Sequence, residues 1–148
     1  MLRTGLTLQK ASKKDIAQIK QLLSDNDLPV QDVEYVPAQF FLLLRDNQLV
    51  GMSGIERFGL AGLLRSVVIK EPFRNNNLGM ELVLKTIQEA KKMKIHRLYL
   101  LTTTAERFFK KIGFTNADRS KAPKSIQTTN EFSNLCPESA NFMVLNIK

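Results

Sequence analysis

One stretch constrains the fold more than any other. Leu63 to Gly79 reads LLRSVVIKEPFRNNNLG. It begins as an apolar run carrying the β-branched residues Val67, Val68 and Ile69, breaks at Pro72, and passes through an Asn-rich loop. It then opens into a long amphipathic pattern. A strand feeding a loop feeding a helix N-terminus is an anion-binding arrangement, because the first helical N–H groups lack intrahelical partners and the helix dipole is positive there. Arg74 adds a full positive charge with two N–H groups to offer a phosphate. The stretch is therefore expected to cradle the diphosphate of a nucleotide-tailed cofactor. The spacing fits neither a Gly-x-x-x-x-Gly-Lys-Ser/Thr loop nor a Gly-x-Gly-x-x-Gly turn.

The rest of the chain supplies a sheet for this unit. Gly5 to Lys10 alternates as a first strand. Ser12 is an N-cap with Asp15 in the first turn, and Ile16, Ile19, Leu22 and Leu23 follow at helical spacing to about Asp25. A short second helix is open over Gln31 to Tyr35. Gln39 to Arg45, Gln48 to Glu56 and Leu60 to Lys70 read as three strands joined by short turns, an antiparallel meander. A long helix is predicted from Asn77 to Lys94, with Leu78, Leu82, Val83, Ile87, Ala90 and Met93 on one stripe. Arg97 to Thr102 is the next strand, and the strand–helix–strand unit makes the two flanking strands parallel. Thr104 is expected to cap a helix over Ala105 to Ile112 that ends at Gly113. Phe114 begins a short strand, Pro123 opens a helix to Phe132, and Asn141 to Ile147 is the last strand. The expected architecture is one α/β (α+β) domain over residues 1–148, with a single mixed, mainly antiparallel twisted sheet flanked by helices.

Bulk properties exclude several classes. Among 148 residues there is one histidine, His96, and one cysteine, Cys136. No disulfide, Cys-rich zinc site or multi-His metal site can form within the chain, and no metal is expected. No apolar run approaches 18 residues, and the first residues lack an apolar signal core, so no membrane partner and a cytoplasmic location are expected. The formal charge of +8 suits an anionic partner. The lysines are scattered among apolar helical positions, and no nucleic-acid motif accompanies them.

Arg74 to Gly79, read as R-x-x-N-L-G, resembles the Arg/Gln-x-x-Gly-x-Gly/Ala segment of the GNAT N-acetyltransferases. Asn77 stands where that family has its first Gly, and Asn tolerates the left-handed conformation better than most residues. Ala105 to Phe114, AERFFKKIGF, resembles the family's A-x-x-F-Y-x-x-x-G-F segment. The element order, with a central β-α-β unit that binds acetyl-CoA, is similar to the GNAT fold over nearly the whole chain. A narrower resemblance, carried by residues 63–66, 101–109 and 131–143, is to the ArsN-like subgroup found in arsenic-resistance operons.

The resemblance implies an acetyl-CoA-dependent N-acetyltransferase acting on the amine of a small molecule, in arsenic or toxicant resistance. The alternative is a non-catalytic CoA-binding sensor or partner-binding module. A homodimer is common in the family. Cofactor contacts are expected from Val67, Val68, Ile69, Arg74, Asn75, Asn76, Asn77, Leu78, Gly79, Met80, Thr103, Phe108 and Phe109, with the Val68 N–H a candidate donor to the acetyl carbonyl. Phe109 replaces the Tyr that the family often uses as general acid. Ser66, Tyr99, Ser139 or a water could take its place. Glu56 is the candidate general base, against the reading of a solvent-facing strand-end charge. Arg65 pairs with Glu56, faces the acceptor pocket, or both. Thr102, Cys136 and Ser139 are further acceptor-site candidates. Cys136 reads first as a small buried hydrophobe, then as a pocket residue, and last as a soft contact to a trivalent arsenical.

Overall fold

In the computed structural model, residues 5–28, 30, 33, 38–74, 77–129 and 140–147 are described. They form a seven-stranded sheet in the order β1-β2-β3-β4-β5-β7-β6. The strands are β1 Leu6–Lys10, β2 Ala38–Arg45, β3 Gln48–Phe58, β4 Ala61–Ile69, β5 Arg97–Thr102, β6 Thr115–Asn116 and β7 Asn141–Asn146. Every neighbouring pair is antiparallel except β4 and β5, which the long helix makes parallel. The mixed, mainly antiparallel sheet expected from the sequence is the one observed.

Local chemistry sets the elements. The β2–β3 hairpin turns at Asp46 and Asn47, with φ of 49° and 70°. Two successive positive φ values make the turn whose twist matches a hairpin, and Asp and Asn accept them. Helix α1, Ile16–Asp25, is entered through a 3-10 turn in which the Asp15 carboxylate accepts from the Ser12 backbone N–H at 2.9 Å. Both faces of β2 are covered, so its apolar run does not alternate with polar residues. Phe40 and Leu42 pack with Ile19, Leu22 and Leu23 of α1. Phe41 packs on the opposite side with Val83 and Ile87 of α2, Leu78–Lys92.

Thr86 is an unpredicted member of the buried α2 stripe. Its hydroxyl donates to Leu82 O at 2.7 Å, so it accepts at 2.7 Å from Ser53 of β3. The pair is satisfied and ties helix to sheet without leaving a buried polar atom alone.

Three expectations need correction. The third helix, α3, covers Glu106–Ile112 with Ala105 as its N-cap. The hydroxyl that accepts from the Ala105 N–H, at 3.0 Å, belongs to Thr102 and not to Thr104. The helix after Pro123, α4, covers only Lys124–Gln127. Thr128 and Thr129 donate their hydroxyls to Ser125 O and Ile126 O, local bonds that compete with helix continuation. The helix considered over Gln31 to Tyr35 falls outside the described residues, except Val33. No described helix is long and apolar enough to cross a membrane.

Candidate active site

The site follows from where two strands part. β4 and β5 pair only at Ala61↔Arg97, Gly62↔Leu98 and Leu63↔Tyr99, although β4 runs on to Ile69 and β5 to Thr102. Beyond Leu63 the strands enclose a cleft of about 440 Å³. Its walls are residues 63–69 of β4 and 100–105 at the end of β5, with Gly79, Phe108, Phe109 and, from the end of α1, Asp27 and Leu28.

A β-bulge sits at the point of parting. In the β3–β4 register Gly54 faces Arg65 but Met52 faces Val68, so Ser66 and Val67 together oppose Ser53. Ser66 takes φ 58°, a left-handed conformation that non-glycine residues seldom hold. Past the bulge, backbone direction can be read from Lys70, whose N–H donates to Val50 O at 2.8 Å. N–H groups alternate along a strand. The Val68 N–H therefore points to β3, while those of Val67 and Ile69 face the cleft. Val68 lines the cleft, but its N–H, the donor expected for the acetyl carbonyl, is turned away from it.

Behind the bulge lies a buried polar chain. The Arg65 Nη1 donates to Glu56 Oε1 at 3.0 Å, with the two side chains only 1% and 3% exposed. Arg65 Nε donates to Ser66 Oγ at 3.1 Å, and the guanidinium carbon lies 5.6 Å from the Phe40 ring centroid. Gly54 makes this stack possible, since a Cβ there would come within 2.8 Å of Phe40. Arg65 and Ser66 line the cleft, whereas Glu56 does not. Glu56 is thus a buried, paired carboxylate one layer behind the cleft, and the reading of a solvent-facing strand-end charge is overturned.

At the other end of the cleft stands α2. Its N-cap, Asn77, has φ 60° and ψ 15° and makes no side-chain capping bond. The first-turn N–H groups of Leu78, Gly79 and Met80 are thus not taken by that cap, while the Leu78 side chain is buried in the core. Only an achiral or small polar residue fits at Asn77 without cost. Asn77→Gly is expected to leave thermal stability within about 0.5 kcal/mol of the parent. Asn77→Val is expected to lose about 1–2 kcal/mol, read as a Tm lower by roughly 2–8 °C. Equal melting of the two variants would contradict the left-handed assignment.

Arg74 is exposed and anchored to two elements. Its Nε donates to Ile69 O at 2.9 Å and its Nη2 donates to Asn26 Oδ1. Phe108 and Phe109 line the cleft, and Phe109 makes edge contacts with Phe108 at 5.1 Å and Phe114 at 5.5 Å. Thr102 and Thr103 line it as well. Tyr99 does not. It stacks on Phe142 at 5.2 Å, in a cluster with Ala122 and Ile126. Of the replacements considered for a missing general acid, Ser66 faces the cleft and Tyr99 does not. Asn75, Asn76, Cys136 and Ser139 lie outside the described residues. No group of three or more potential metal ligands occurs among the described residues.

The donors fit a thioester with a nucleotide tail. Two strands held apart expose backbone N–H groups to an extended arm. The N-terminus of α2 and Arg74 suit a diphosphate.

Comparison with known proteins agrees. The model of the acetyltransferase (GNAT) family matches residues 11–114. An amino-acid acetyltransferase of Aeromonas salmonicida is 32% identical over 91 residues, 60% of this chain and 21% of that protein. One from Aliivibrio fischeri is 25% identical over 104 residues, 69% of this chain and 23% of that protein. N-acetylglutamate synthase from Neisseria gonorrhoeae, crystallised with coenzyme A and N-acetyl-glutamate, superposes with a TM-score of 0.82 at 20% identity. That match covers 99% of this chain and 36% of the synthase chain. A GNAT-family acetyltransferase from Staphylococcus aureus gives 0.74 at 19% identity, covering 97% and 99% of the two chains. The chain spans under a third of the length of the curated relatives it matches.

Proposed function

The chain belongs to the GNAT acetyltransferase family, and from that premise we propose that it moves the acetyl group of acetyl-CoA to the amine of a small molecule. The observation that carries this reading is the parting of β4 and β5 beyond Leu63 into a cleft that runs from Arg65 and Ser66 to the N-terminus of α2. In the transfer a C–N bond forms as the thioester C–S bond breaks. The amine gives up a proton and the departing sulfur takes one.

Each residue has a part in that exchange. Arg74 and the first-turn N–H groups of α2 hold the diphosphate. The Val67 and Ile69 backbone aligns the pantetheine arm, and Thr103, Phe108 and Phe109 border it. Ser66 accepts from Arg65, so its own proton is left for a partner in the cleft. It is the donor to the carbonyl oxygen or the sulfur as negative charge develops there. Arg65, with Thr102 beside it, faces the acceptor. Glu56 acts by holding Arg65, and not by taking the amine proton itself. The amine attacks from its neutral fraction, and its proton leaves to solvent in the cleft.

The names of the amino-acid acetyltransferase relatives support amino acids as acceptors. The resemblance to the ArsN-like subgroup supports an arsenic-containing or toxic amine, and with it a resistance role in the cytoplasm. Cys136 and Ser139 belong to the segment that carries this narrower resemblance. The second reading, a CoA-binding sensor, is favoured by Phe109, a buried ring without a proton at the position of the family's acid.

The test is thiol release from acetyl-CoA against amino acids, polyamines, amine antibiotics and arsenic-containing amino acids. Turnover with a panel member is expected, and CoA binding without turnover on any of them would favour the sensor. Arg74→Ala is expected to raise the Kd for CoA about 10- to 150-fold, from the loss of a charge-assisted bond of about 1.5–3 kcal/mol. Unchanged affinity by calorimetry would sink the assignment of the loop.

A further inference from the structure

Arg74 is exposed and sits on a loop, yet its guanidinium is not left to the solvent. Two bonds come from elements far apart in sequence: Ile69 O of β4 takes Nε, and Asn26 Oδ1 takes Nη2. Asn26 is the C-cap of α1. Its own amide is oriented, because Nδ2 donates to Leu22 O at 2.9 Å in the last turn of the helix. With that N–H engaged, Oδ1 is the end of the amide turned to the loop. The helix beneath is fixed by Ile19, Leu22 and Leu23, all buried against the sheet. The position of Oδ1 is thus set by core packing and not by the loop.

An arginine free to rotate must be ordered when it takes up a phosphate, and that ordering costs affinity. A guanidinium whose plane is already fixed avoids the cost, and its fork is directional enough for the plane to matter. The residues that follow Asn26, Asp27 and Leu28, line the cleft. The bond therefore also joins a wall of the cleft to the loop.

We propose that Asn26 is a positioning residue that presets Arg74 for the CoA diphosphate. The proposal rests on the reading of Arg74 as a diphosphate ligand. It reaches beyond the loop to a residue almost fifty positions earlier, in a different element.

The experiment is a double-mutant cycle on the full chain, with CoA and pantetheine (the arm without the diphosphate) as calorimetric probes. Asn26→Ala is expected to raise the Kd for CoA about three- to tenfold and to leave that for pantetheine unchanged. In an Arg74→Ala background the same substitution is expected to add nothing. Three results would overturn the proposal: unchanged CoA affinity in Asn26→Ala while Arg74→Ala weakens it, equal weakening toward pantetheine, or an undiminished effect in the Arg74→Ala background. The last two would mark Asn26 as a support of α1 alone. If Arg74→Ala itself leaves CoA affinity unchanged, the reading of the loop fails, and the role of Asn26 fails with it.

Discussion

Glu56→Leu is expected to cost the protein about 3–5 kcal/mol of folding stability, because it leaves the Arg65 guanidinium charged and buried without its carboxylate. For a chain of this size that is a Tm lower by roughly 6–20 °C, read equally as a lower urea midpoint at unchanged slope. The double variant Glu56→Leu/Arg65→Met should recover most of the loss. An apolar pair of similar volume needs no compensation, and such replacements are often neutral or stabilising. A double variant no more stable than the single one would mean that the pair is not the dominant interaction at the site. Function should not recover with stability, since Arg65 faces the cleft. The double variant is expected to bind CoA normally and to lose saturation by the acceptor. Glu56→Gln separates the two proposed roles of the carboxylate. A positioning role predicts a raised acceptor KM with kcat within a few-fold of the parent. A general base would show a fall in kcat of about 10²–10⁴.

This pair also marks the boundary of what the sequence makes legible. The strand–loop–helix at Leu63 to Gly79 is readable because its parts are local: a β-branched run, a proline, an Asn able to hold φ near 60°, and a helical stripe. The meander is readable because its turns are. Pairing of Glu56 with Arg65 is one of the readings open in the sequence, and the structure bears it out, but it is not local. It depends on a register in which Glu56 faces Leu63 and Gly54 faces Arg65, which puts the two side chains diagonally on one face. Fixing the turn at Gly59 and Leu60 is what selects this pairing among the open readings.

The bulge at Ser66 is harder to foresee. β4 is covered on both faces, so alternation carries no signal there, and the only trace is two polar residues inside an apolar run. The exchange of Thr104 for Thr102 has a similar origin. Three consecutive threonines are alike by type, and only the observed start of α3 at Glu106 selects the one whose hydroxyl reaches the Ala105 N–H. Thr128 and Thr129 stop α4 through bonds to carbonyls that a count of apolar spacing ignores.

Ser66→Gly is expected to lower kcat by about 10²–10³, the usual cost of removing one aimed donor to developing negative charge. Glycine is the informative replacement because two features coincide at this residue. The hydroxyl accepts from Arg65 and can donate into the cleft, while the backbone holds φ 58° in the bulge. Glycine adopts that conformation freely, so the bulge and the exposed Val67 N–H survive while the hydroxyl is lost. Alanine removes the same hydroxyl but keeps a Cβ in the left-handed region, at a cost of about 1–2 kcal/mol relative to glycine. Both variants remove the Ser66 oxygen that accepts from Arg65 Nε, a loss of about 1–3 kcal/mol that the two share. Glycine should therefore be the more stable of the two, with the two equally slow. KM for acetyl-CoA should stay near that of the parent in both, since the proposed diphosphate ligands, Arg74 and the N-terminus of α2, do not include Ser66. A Ser66→Gly enzyme with undiminished kcat would show that the bulge alone, through its backbone, is what this position contributes. An alanine variant much slower than glycine would place the effect in backbone geometry and not in the proton. Measuring the two side by side thus assigns the role of Ser66 whichever way the rates fall.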